Sequence, residues 1–407
     1  MPDKPLTALV LYHYLYPNEV VSSILFSELS AGLASRGWRV IGSACNREWD
    51  HEERKLPPRL SWNGVHFRTV WRPGFRQSSS FGRVANAAWM IAAWSLMAFD
   101  WRVRPDVLIV GTDPIMSPLV ALAWRAVRPG VRVAHWCFDL YPEAAIEAGL
   151  LPAGSVLVCT LKRILRWAYG RCGLVVDIGM CMRRRLELYN VGTRRETITP
   201  WALVEPEIPA PIDPTERQAL FGDAAIGLLY SGSFGLAHKW RGIAELAAML
   251  APSGGKVVFS VQGNAAAELR SAMEKAEAPV GFVPFASNQL LRGRLGAADV
   301  HIVTLRESWT GTVVPSKFFG ALAIGRPVLF LGSRDSAVAR WIEEFQVGWV
   351  LTADNLEAVA DDLVRSLRPE FKATLFKRCH AVYCERFSRE QAVDRWSGLL
   401  RTIAVTG

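Results

Sequence analysis

The segment 312–332 combines residue types that suit anion binding at the start of a short helix. Pro315 fits the first helical position, where its missing N–H costs nothing, and Gly325 fits the residue just past the helix end. Ser316 and Lys317 then lie in the first turn, where free N–H groups and the helix dipole attract negative charge. A lysine there has the wrong sign for the dipole unless it meets a negative ligand. The pattern predicts a phosphate site, with a solvated lysine at an ordinary helix start as the alternative.

A glycine-containing turn over 230–242 has a second set of candidate groups. Gly232 and Gly235 would let the backbone approach a ligand, Ser233 can hydrogen-bond a phosphate, and Lys239 is a nearby cation. The spacing is not G-x-G-x-x-G, so a dinucleotide fingerprint is not supported. An ordinary turn between a strand and a helix is the alternative.

Two further strand-end turns complete the candidate binding groups of the second half. Gln262 closes one predicted strand, and Phe285 ends a turn over 282–285 that could offer backbone contacts to a nucleotide base. Packing in the core and in turns would also explain these residues.

The first half has polar residues that could bind or deprotonate an acceptor. Asp139 lies just past a predicted strand, 132–137, and is the candidate base, with capping of the next turn as the alternative. Glu143 could orient Asp139 or the acceptor. The loop after the first strand adds three candidate acceptor-binding residues, which are His13, Asn18 and Glu19.

These residues are spaced along two series of short apolar runs that alternate with amphipathic stretches, as in open parallel sheets. A proline-rich stretch near 205–214 separates the series and indicates a linker. We therefore predict an α/β chain of two doubly wound, Rossmann-like domains that face each other across a cleft, where ligands bind beyond the strand ends. The predicted strands are 6–12, 39–43, 106–110, 132–137, 174–178, 227–230, 256–261, 300–303, 328–331 and 348–351.

The bulk composition narrows the class of protein. The net charge is +9, and the whole excess lies in residues 1–200, which suggests a basic surface facing an anionic partner. Seven cysteines without a C-x-x-C pair argue against a disulfide framework or a zinc site and fit a reducing compartment. The first residues lack the layout of a signal peptide, and no apolar run reaches 18 residues, so we expect a cytoplasmic chain with no membrane span.

The order of these motifs resembles glycosyltransferase family 4, in particular bacterial enzymes that build O-antigen, colanic acid and other exopolysaccharides. The resemblance rests on Tyr-x-Gly-x-x-Gly at 230–235, Gln-Gly at 262–263, Val-Pro-Phe at 283–285 and Pro-Ser-Lys at 315–317. In the first half, Asp-Leu-Tyr-Pro-Glu at 139–143 carries it. The match covers nearly the whole chain and is specific for fold and reaction class rather than for the sugar.

The resemblance implies a GT-B fold, with an acceptor domain over 1–204, a donor domain over 205–385 and a closing helix over 386–407. It also implies a UDP- or GDP-sugar donor, a glycan or polyprenyl-diphosphate-linked acceptor, retention at the anomeric carbon, and neither a metal nor another cofactor. Asp139 and Glu143 are the expected catalytic residues. The expected donor-binding residues are Gly232, Ser233, Gly235, Lys239, Gln262, Phe285, Glu307, Thr312, Val314, Ser316 and Lys317.

One departure concerns the donor pocket. Many family members carry two glutamates eight positions apart that contact the donor sugar and the ribose, and here those positions are Thr312 and Gly320. Ribose and sugar recognition must then differ, or Glu307 must supply a carboxylate from the preceding loop. The departure leaves the donor and the stereochemistry open.

The basic first half suggests a membrane role. Segments 75–104 and 155–171 combine arginines with tryptophans in amphipathic stretches, which suit the inner face of an anionic membrane, although packing with a solvated charged edge would also explain them. Two other functions are compatible with the sequence. A nucleotide-sugar 2-epimerase would act without an acceptor, and a nucleic-acid-binding protein would use the basic half, but no nucleic-acid-binding module is recognisable, so we expect no such partner.

Overall fold

The computed structural model describes residues 4–77, 79–286 and 290–405. The chain forms two compact units. The first contains the residues up to Thr199 together with those from Glu390 onward, and the second contains Pro200–Arg389.

The first unit is built on an eight-stranded sheet in the order β3-β4-β2-β1-β5-β6-β7-β8, parallel except for the antiparallel pair β3 and β4. Each central strand is an apolar run buried along its length, as expected where helices cover both faces. The strands are β1 (Thr7–Leu11), β2 (Arg39–Cys45), β3 (Arg59–Trp62), β4 (Val65–Val70), β5 (Val107–Gly111), β6 (Arg132–Trp136), β7 (Leu174–Asp177) and β8 (Arg194–Thr197).

The helices of the first unit start at recognisable caps. Ser79 Oγ accepts the Gly82 N–H at 2.9 Å at the start of α2, and the Ser155 hydroxyl accepts the Val158 N–H at the start of α5. The helices are α1 (Val21–Ser35), α2 (Ser80–Leu96), α3 (Val120–Val127), α4 (Glu143–Glu147), α5 (Val156–Tyr169) and α6 (Met180–Glu187).

The second unit has a six-stranded parallel sheet in the order β11-β10-β9-β12-β13-β14. Its core packs Leu228, Phe259 and Leu329 of the sheet against Ile243 and Leu246. The strands are β9 (Ile226–Ser233), β10 (Gly255–Gln262), β11 (Val280–Val283), β12 (Val300–Thr304), β13 (Val328–Leu331) and β14 (Gly348–Leu351). The helices are α7 (Pro214–Phe221), α8 (Arg241–Leu250), α9 (Ala266–Lys275), α10 (Leu291–Gly296), α11 (Lys317–Ala323), α12 (Ala337–Phe345), α13 (Leu356–Ser366) and α14 (Pro369–Arg386).

The last helix, α15 (Arg389–Val405), packs on the first unit. Trp396 is fully buried, with its ring 5.3 Å from that of Trp136 on β6. Trp38 donates from Nε1 to Ser397 Oγ at 3.0 Å, and Arg36 pairs with Asp394 at 2.7 Å. This combination of apolar burial and polar pairing fixes the chain end against the first sheet.

The predicted fold class of two parallel-sheet, Rossmann-like domains is confirmed, and each predicted strand is present with small shifts at its ends. The prediction missed β3, β4, β8 and β11, which are short strands toward the sheet edges. Polar residues interrupt β3, β4 and β8, and β11 has only four residues, one of them glycine, all of them partly buried. It also placed the start of α11 too early. The helix begins at Lys317, with Ser316 as its N-cap residue and Pro315 before it. Across the described residues, we find no helix with the length and apolarity that a membrane crossing requires.

Candidate functional site

Lys317 is the centre of the candidate donor site in the second unit. Its Nζ donates to the Ser233 carbonyl oxygen at 3.0 Å and lies 5.2 Å from the ring centroid of Tyr230. Desolvation lowers the pKa of Lys317 from 10.5 to about 8. Within the described part of the chain no carboxylate forms an ion pair with it, so a bound anion would supply the missing counter-charge.

Gly232 allows strand β9 to lie directly against this lysine. Its φ of +132° is a conformation that L side chains rarely adopt, and a Cβ at residue 232 would lie 2.5 Å from Lys317 Cε. Gly235 is less constrained, because a Cβ there would meet only Asn264 Oδ1, at 3.3 Å. Of the two predicted glycines, Gly232 is therefore required, whereas position 235 could accept a side chain.

His238 belongs to the same site and was missed by the sequence analysis. Its Nδ1 lies 2.9 Å from the Thr304 carbonyl oxygen and 3.2 Å from Thr304 Oγ1, at the end of β12. Burial, and after it the charge of Lys317, lowers the pKa of His238 to about 4, which keeps the ring neutral at pH 7. Its position three residues past Gly235, in a turn already singled out, was the available signal.

Lys239 and Glu307 form an ion pair of 3.4 Å at the exposed rim of this site. Two hydrogen bonds from Arg306 tie the glycine turn to the loop that carries Glu307. The Arg306 backbone N–H donates to the Ala237 oxygen at 2.7 Å, and its side-chain Nε donates to the His238 oxygen at 2.9 Å. Glu307 thus lies beside the turn that holds Lys239. It is the carboxylate that the sequence analysis named as the alternative to glutamates at positions 312 and 320.

The two positions that depart from the family pattern have opposite environments. Thr312 is fully buried, and its Oγ1 has no hydrogen-bond partner among the described residues. At Gly320 on α11, a Cβ would have no atom within 4 Å. Val314 is also buried, whereas Ser316 is exposed and its side chain makes no capping hydrogen bond. Core packing thus accounts for Val314, whereas Thr312 has a buried hydroxyl without a partner among the described residues, and Ser316 and Lys317 are the accessible polar groups.

Gln262 and Phe285 belong to strands β10 and β11 or to the turns after them, and these strands lie one and two places from β9 in the sheet. Gln262 ends β10 opposite Ser233 in the strand register, and its carbonyl oxygen accepts from the Phe234 N–H at 2.7 Å. Its side chain is exposed. Phe285 follows β11 at the sheet edge, two strands from β9, with 42% of its surface exposed.

In the first unit, Asp139 lies three residues past the end of β6. Burial, and then the negative charge of Asp113, raises the pKa of Asp139 from 3.8 to about 6. The backbone beside it is fixed, because Phe138 N–H donates to Thr112 Oγ1 at 2.8 Å. A carboxyl group that titrates near neutrality on a fixed turn is suited to proton transfer.

Glu143 is occupied by structural contacts. Its carboxylate receives the Tyr189 hydroxyl at 3.2 Å and pairs with Lys162 Nζ of α5 at 3.1 Å. The side chain is buried, so these contacts join α4 to α5. They do not link Glu143 to Asp139.

The three residues of the first loop differ in their surroundings. His13 is 3% exposed and its Nδ1 lies 3.1 Å from Oδ1 of Asp113, a residue that the sequence analysis missed. Asn18 is used to close the loop, since Nδ2 donates to the Leu15 oxygen at 3.1 Å and Oδ1 accepts from the Trp49 N–H at 2.7 Å. Glu19 is exposed. Asp113 stands three residues past the end of the predicted strand 106–110, which was the available signal.

No group of three or more histidine, cysteine or carboxylate side chains is placed to hold a metal ion within the described ranges.

Comparisons with known proteins support the fold. No family model matches the chain. The chain is 27% identical over 256 residues to the probable glycosyltransferase WbjE of Pseudomonas aeruginosa, a match that spans 60% of this chain and 62% of that relative's length. Sucrose-phosphate synthase from Thermosynechococcus elongatus superposes with a TM-score of 0.72 at 14% identity, covering 99% of this chain and 100% of that one.

A second solved structure carries a nucleotide. HepE of Anabaena, in complex with UDP and glucose, superposes with a TM-score of 0.66 at 13% identity, covering 98% of this chain and 100% of that one. At such identities the likeness establishes the fold, and the chain has the two parallel-sheet, Rossmann-like domains of GT-B structures.

Proposed function

We propose that the protein is a glycosyltransferase that moves a sugar from a UDP- or GDP-sugar to a glycan or polyprenyl-diphosphate-linked acceptor. The observation that carries the proposal is Lys317, a half-buried cation without an ion-pair partner among the described residues, held beside Gly232 and the Ser233 carbonyl. The name of the WbjE relative and the UDP bound by HepE support the same class of activity and donor.

The donor half of the reaction requires stabilisation of the leaving diphosphate. The ammonium of Lys317 and the N–H groups at the start of α11 can supply it electrostatically, and they need little reorganisation because Lys317 is already fixed by Ser233. The bond between the anomeric carbon and the diphosphate oxygen breaks, and its electron pair leaves with the nucleotide. Retention of the anomeric configuration, activity without a metal ion and membership of family 4 remain part of the proposal and rest on the sequence resemblance.

The acceptor half requires that a hydroxyl lose its proton. Asp139 is the proposed acceptor-side carboxyl, because its raised pKa allows proton exchange near neutral pH. We assign the acceptor to surface-polysaccharide synthesis on the resemblance to exopolysaccharide enzymes. Glu19, which is exposed, is a further proposed acceptor contact, whereas the buried His13 would act through its neighbour Asp113.

We also propose that the first unit docks on the anionic inner face of the cell membrane. Five aromatic side chains around α2 are 42–74% exposed, which defines an aromatic surface made of Trp71, Phe81, Trp89, Phe99 and Trp101. Four exposed arginines accompany them, at positions 76, 83, 102 and 104. Exposed aromatic rings beside arginines match the interface of an anionic bilayer.

A direct test is to incubate the protein with a set of UDP- and GDP-sugars and a polyprenyl-diphosphate-linked acceptor, and to follow nucleotide release and glycosylated product. The proposal expects product that depends on both substrates. Release of an isomerised nucleotide sugar without acceptor would identify an epimerase instead. Absence of any product with a folded protein and the full set of donors would contradict the proposal.

A further inference from the structure

Three neighbouring strands of the first sheet end next to one another and are each followed by a titratable residue. Strand β5 lies between β1 and β6, with Leu11 paired to Val110 and Gly111 paired to Trp136. His13, Asp113 and Asp139 come two, two and three residues after the ends of these strands. Because parallel strands share one carboxyl edge, the three side chains lie at the same edge.

Two hydrogen bonds join His13 and Asp113, which are 100 residues apart in the sequence. The ring Nδ1 lies 3.1 Å from Asp113 Oδ1, and the His13 backbone N–H donates to the Asp113 carbonyl oxygen at 3.0 Å. The His13 side chain is 3% exposed and the Asp113 side chain is 42% exposed. The imidazole therefore lies behind the carboxylate, and the carboxylate faces solvent.

The imidazole is held in one orientation. It stacks on the Tyr14 ring with centroids 4.4 Å apart and planes inclined by 25°. Its Nε2 is buried and has no hydrogen-bond partner among the described residues. A neutral ring that carries its proton on Nδ1 satisfies this geometry, because it donates to Asp113 and leaves the buried Nε2 without a hydrogen.

Asp113 and Asp139 form an asymmetric pair of carboxyl groups. The charge of Asp113 contributes to the raised pKa of Asp139. The negative charges of both carboxylates also contribute to the raised pKa values of Tyr12, at the end of β1, and of Tyr141. The positive charge of Arg83 acts in the opposite direction on the pKa of Tyr141. Of the two carboxyl groups, Asp113 is the exposed one and has an N–H donor in His13, so it is the one placed to meet an acceptor hydroxyl, whereas Asp139 is the one whose pKa is raised by burial.

We propose that Asp113, held by His13 as a positioning residue, binds the acceptor hydroxyl and takes its proton during the proposed transfer, with Asp139 as the second carboxyl of the pair. The acceptor O–H bond breaks and its proton passes to the Asp113 carboxylate. The acceptor oxygen bonds to the anomeric carbon, and the nucleotide leaves with the electron pair. This inference rests on the proposed glycosyltransferase function.

The test compares Asp113→Asn with wild type and with Asp223→Asn, a matched change at an exposed aspartate of the second unit. Steady-state transfer is measured at saturating donor, and UDP binding is measured by thermal shift on the same samples. We expect kcat to fall by about 10²–10⁴-fold in Asp113→Asn, the range of a general base. The rise in melting temperature that UDP causes should be the same for Asp113→Asn as for wild type. Asp223→Asn should match wild type in both measurements.

His13→Gln adds a readout that a purely structural role would not move. Loss of the Nδ1–H donor removes stabilisation from the Asp113 carboxylate, so the acidic limb of the kcat/KM profile should move to higher pH. Turnover of Asp113→Asn within threefold of wild type, or an unmoved acidic limb in a folded His13→Gln, would overturn the assignment and leave the proposed function intact. Failure of wild type to transfer from any nucleotide sugar would instead overturn the proposed function and this inference with it.

Discussion

Lys317 and Gly232 are in such close approach that a single methyl group at residue 232 would lie 2.5 Å from Lys317 Cε. The lysine is thereby held at the end of β9, with its ammonium on the Ser233 carbonyl oxygen. The glycine is required twice, because it provides both the positive φ and the space for the lysine. The relationship ties the glycine turn at the end of β9 to the start of α11, where Lys317 follows Ser233 by 84 residues.

Gly232→Ala should weaken nucleotide binding by displacing Lys317. We expect the affinity for UDP to fall by about tenfold or more, which corresponds to about 1.4 kcal/mol, together with a modest loss of stability from the strained φ. Isothermal titration calorimetry measures the affinity. Gly235→Ala is the matched control, and an equal effect in both variants would contradict the specific role of Gly232.

UDP binding should depend on the protonation of Lys317. Its folded-state pKa of about 8 is below the ordinary value of 10.5, so between these values the unfolded chain binds more protons and folded stability rises with pH. A bound diphosphate favours the charged lysine, so binding near pH 8 should take up a proton. We expect UDP affinity to fall roughly tenfold between pH 7 and 9.

Calorimetry at pH 8.3 in two buffers of different ionisation enthalpy reports this proton uptake. The observed binding enthalpy should differ between the buffers for wild type and agree for Lys317→Met. Equal enthalpies for wild type would show that Lys317 does not change its protonation on binding.

Asp139→Asn should stabilise the fold at alkaline pH. The pKa of Asp139 is raised, so its contribution to stability is fully present below the unfolded value of 3.8 and is lost as pH rises through about 6. At pH 8 we expect the neutral amide to raise the free energy of unfolding by about 1–2 kcal/mol. Urea unfolding at pH 8 and at pH 4.5 is the measurement. The gain should be clearly smaller at pH 4.5, which lies between the two pKa values, and a destabilised variant at pH 8 would refute the cost assigned to the buried charge.

Gly320→Ala should stabilise the second unit. The position is inside α11 and a Cβ there meets no atom within 4 Å, so alanine gains helix propensity without a clash, worth about 0.5–1 kcal/mol. Gly348→Ala is the opposing control, because a Cβ there would lie 1.9 Å from the Val328 oxygen at a φ of +152°. Denaturant unfolding of both variants should give effects of opposite sign, and destabilisation by Gly320→Ala would show that the space beside it is needed.

The double variant Phe81→Ser, Trp101→Ser should lose affinity for anionic vesicles. These side chains are 74% and 62% exposed, so their removal takes apolar contact from the aromatic surface. Phe371→Ser, at a 52% exposed position of the second unit, is the control. In flotation with anionic vesicles we expect about tenfold less bound double variant than wild type or control. Equal flotation of the double variant would argue against docking through this surface.

Local patterns in the sequence predicted the buried strands and the end of α11, because apolar runs and glycines at fixed positions determine them. Edge strands such as β8, with the sequence Arg-Arg-Glu-Thr, have no such pattern and form only through pairing with a neighbour. The donor site was likewise predictable residue by residue but not as an arrangement in space. Lys317 and Ser233 were each predicted as donor ligands, but their direct contact depends on the order of strands in the sheet.

Asp113 shows the limit of this kind of prediction in the first unit. Its role depends on His13, which is 100 residues away and becomes its neighbour only because β1 and β5 are adjacent. Glu143 shows the reverse case, since a motif resemblance suggested catalysis while Tyr189 and Lys162 occupy its carboxylate. Neither relationship can be inferred from residue types and local spacing.

Lys317 is the cation that holds the donor diphosphate in the proposed donor site. The direct measurement is the UDP dissociation constant of Lys317→Met at pH 7, beside wild type and Lys275→Met, an exposed lysine on the last turn of α9. We predict that Lys317→Met binds UDP at least about tenfold more weakly, the effect of losing about 1.4 kcal/mol, while Lys275→Met matches wild type. Equal affinity in a folded Lys317→Met would contradict the donor site described here.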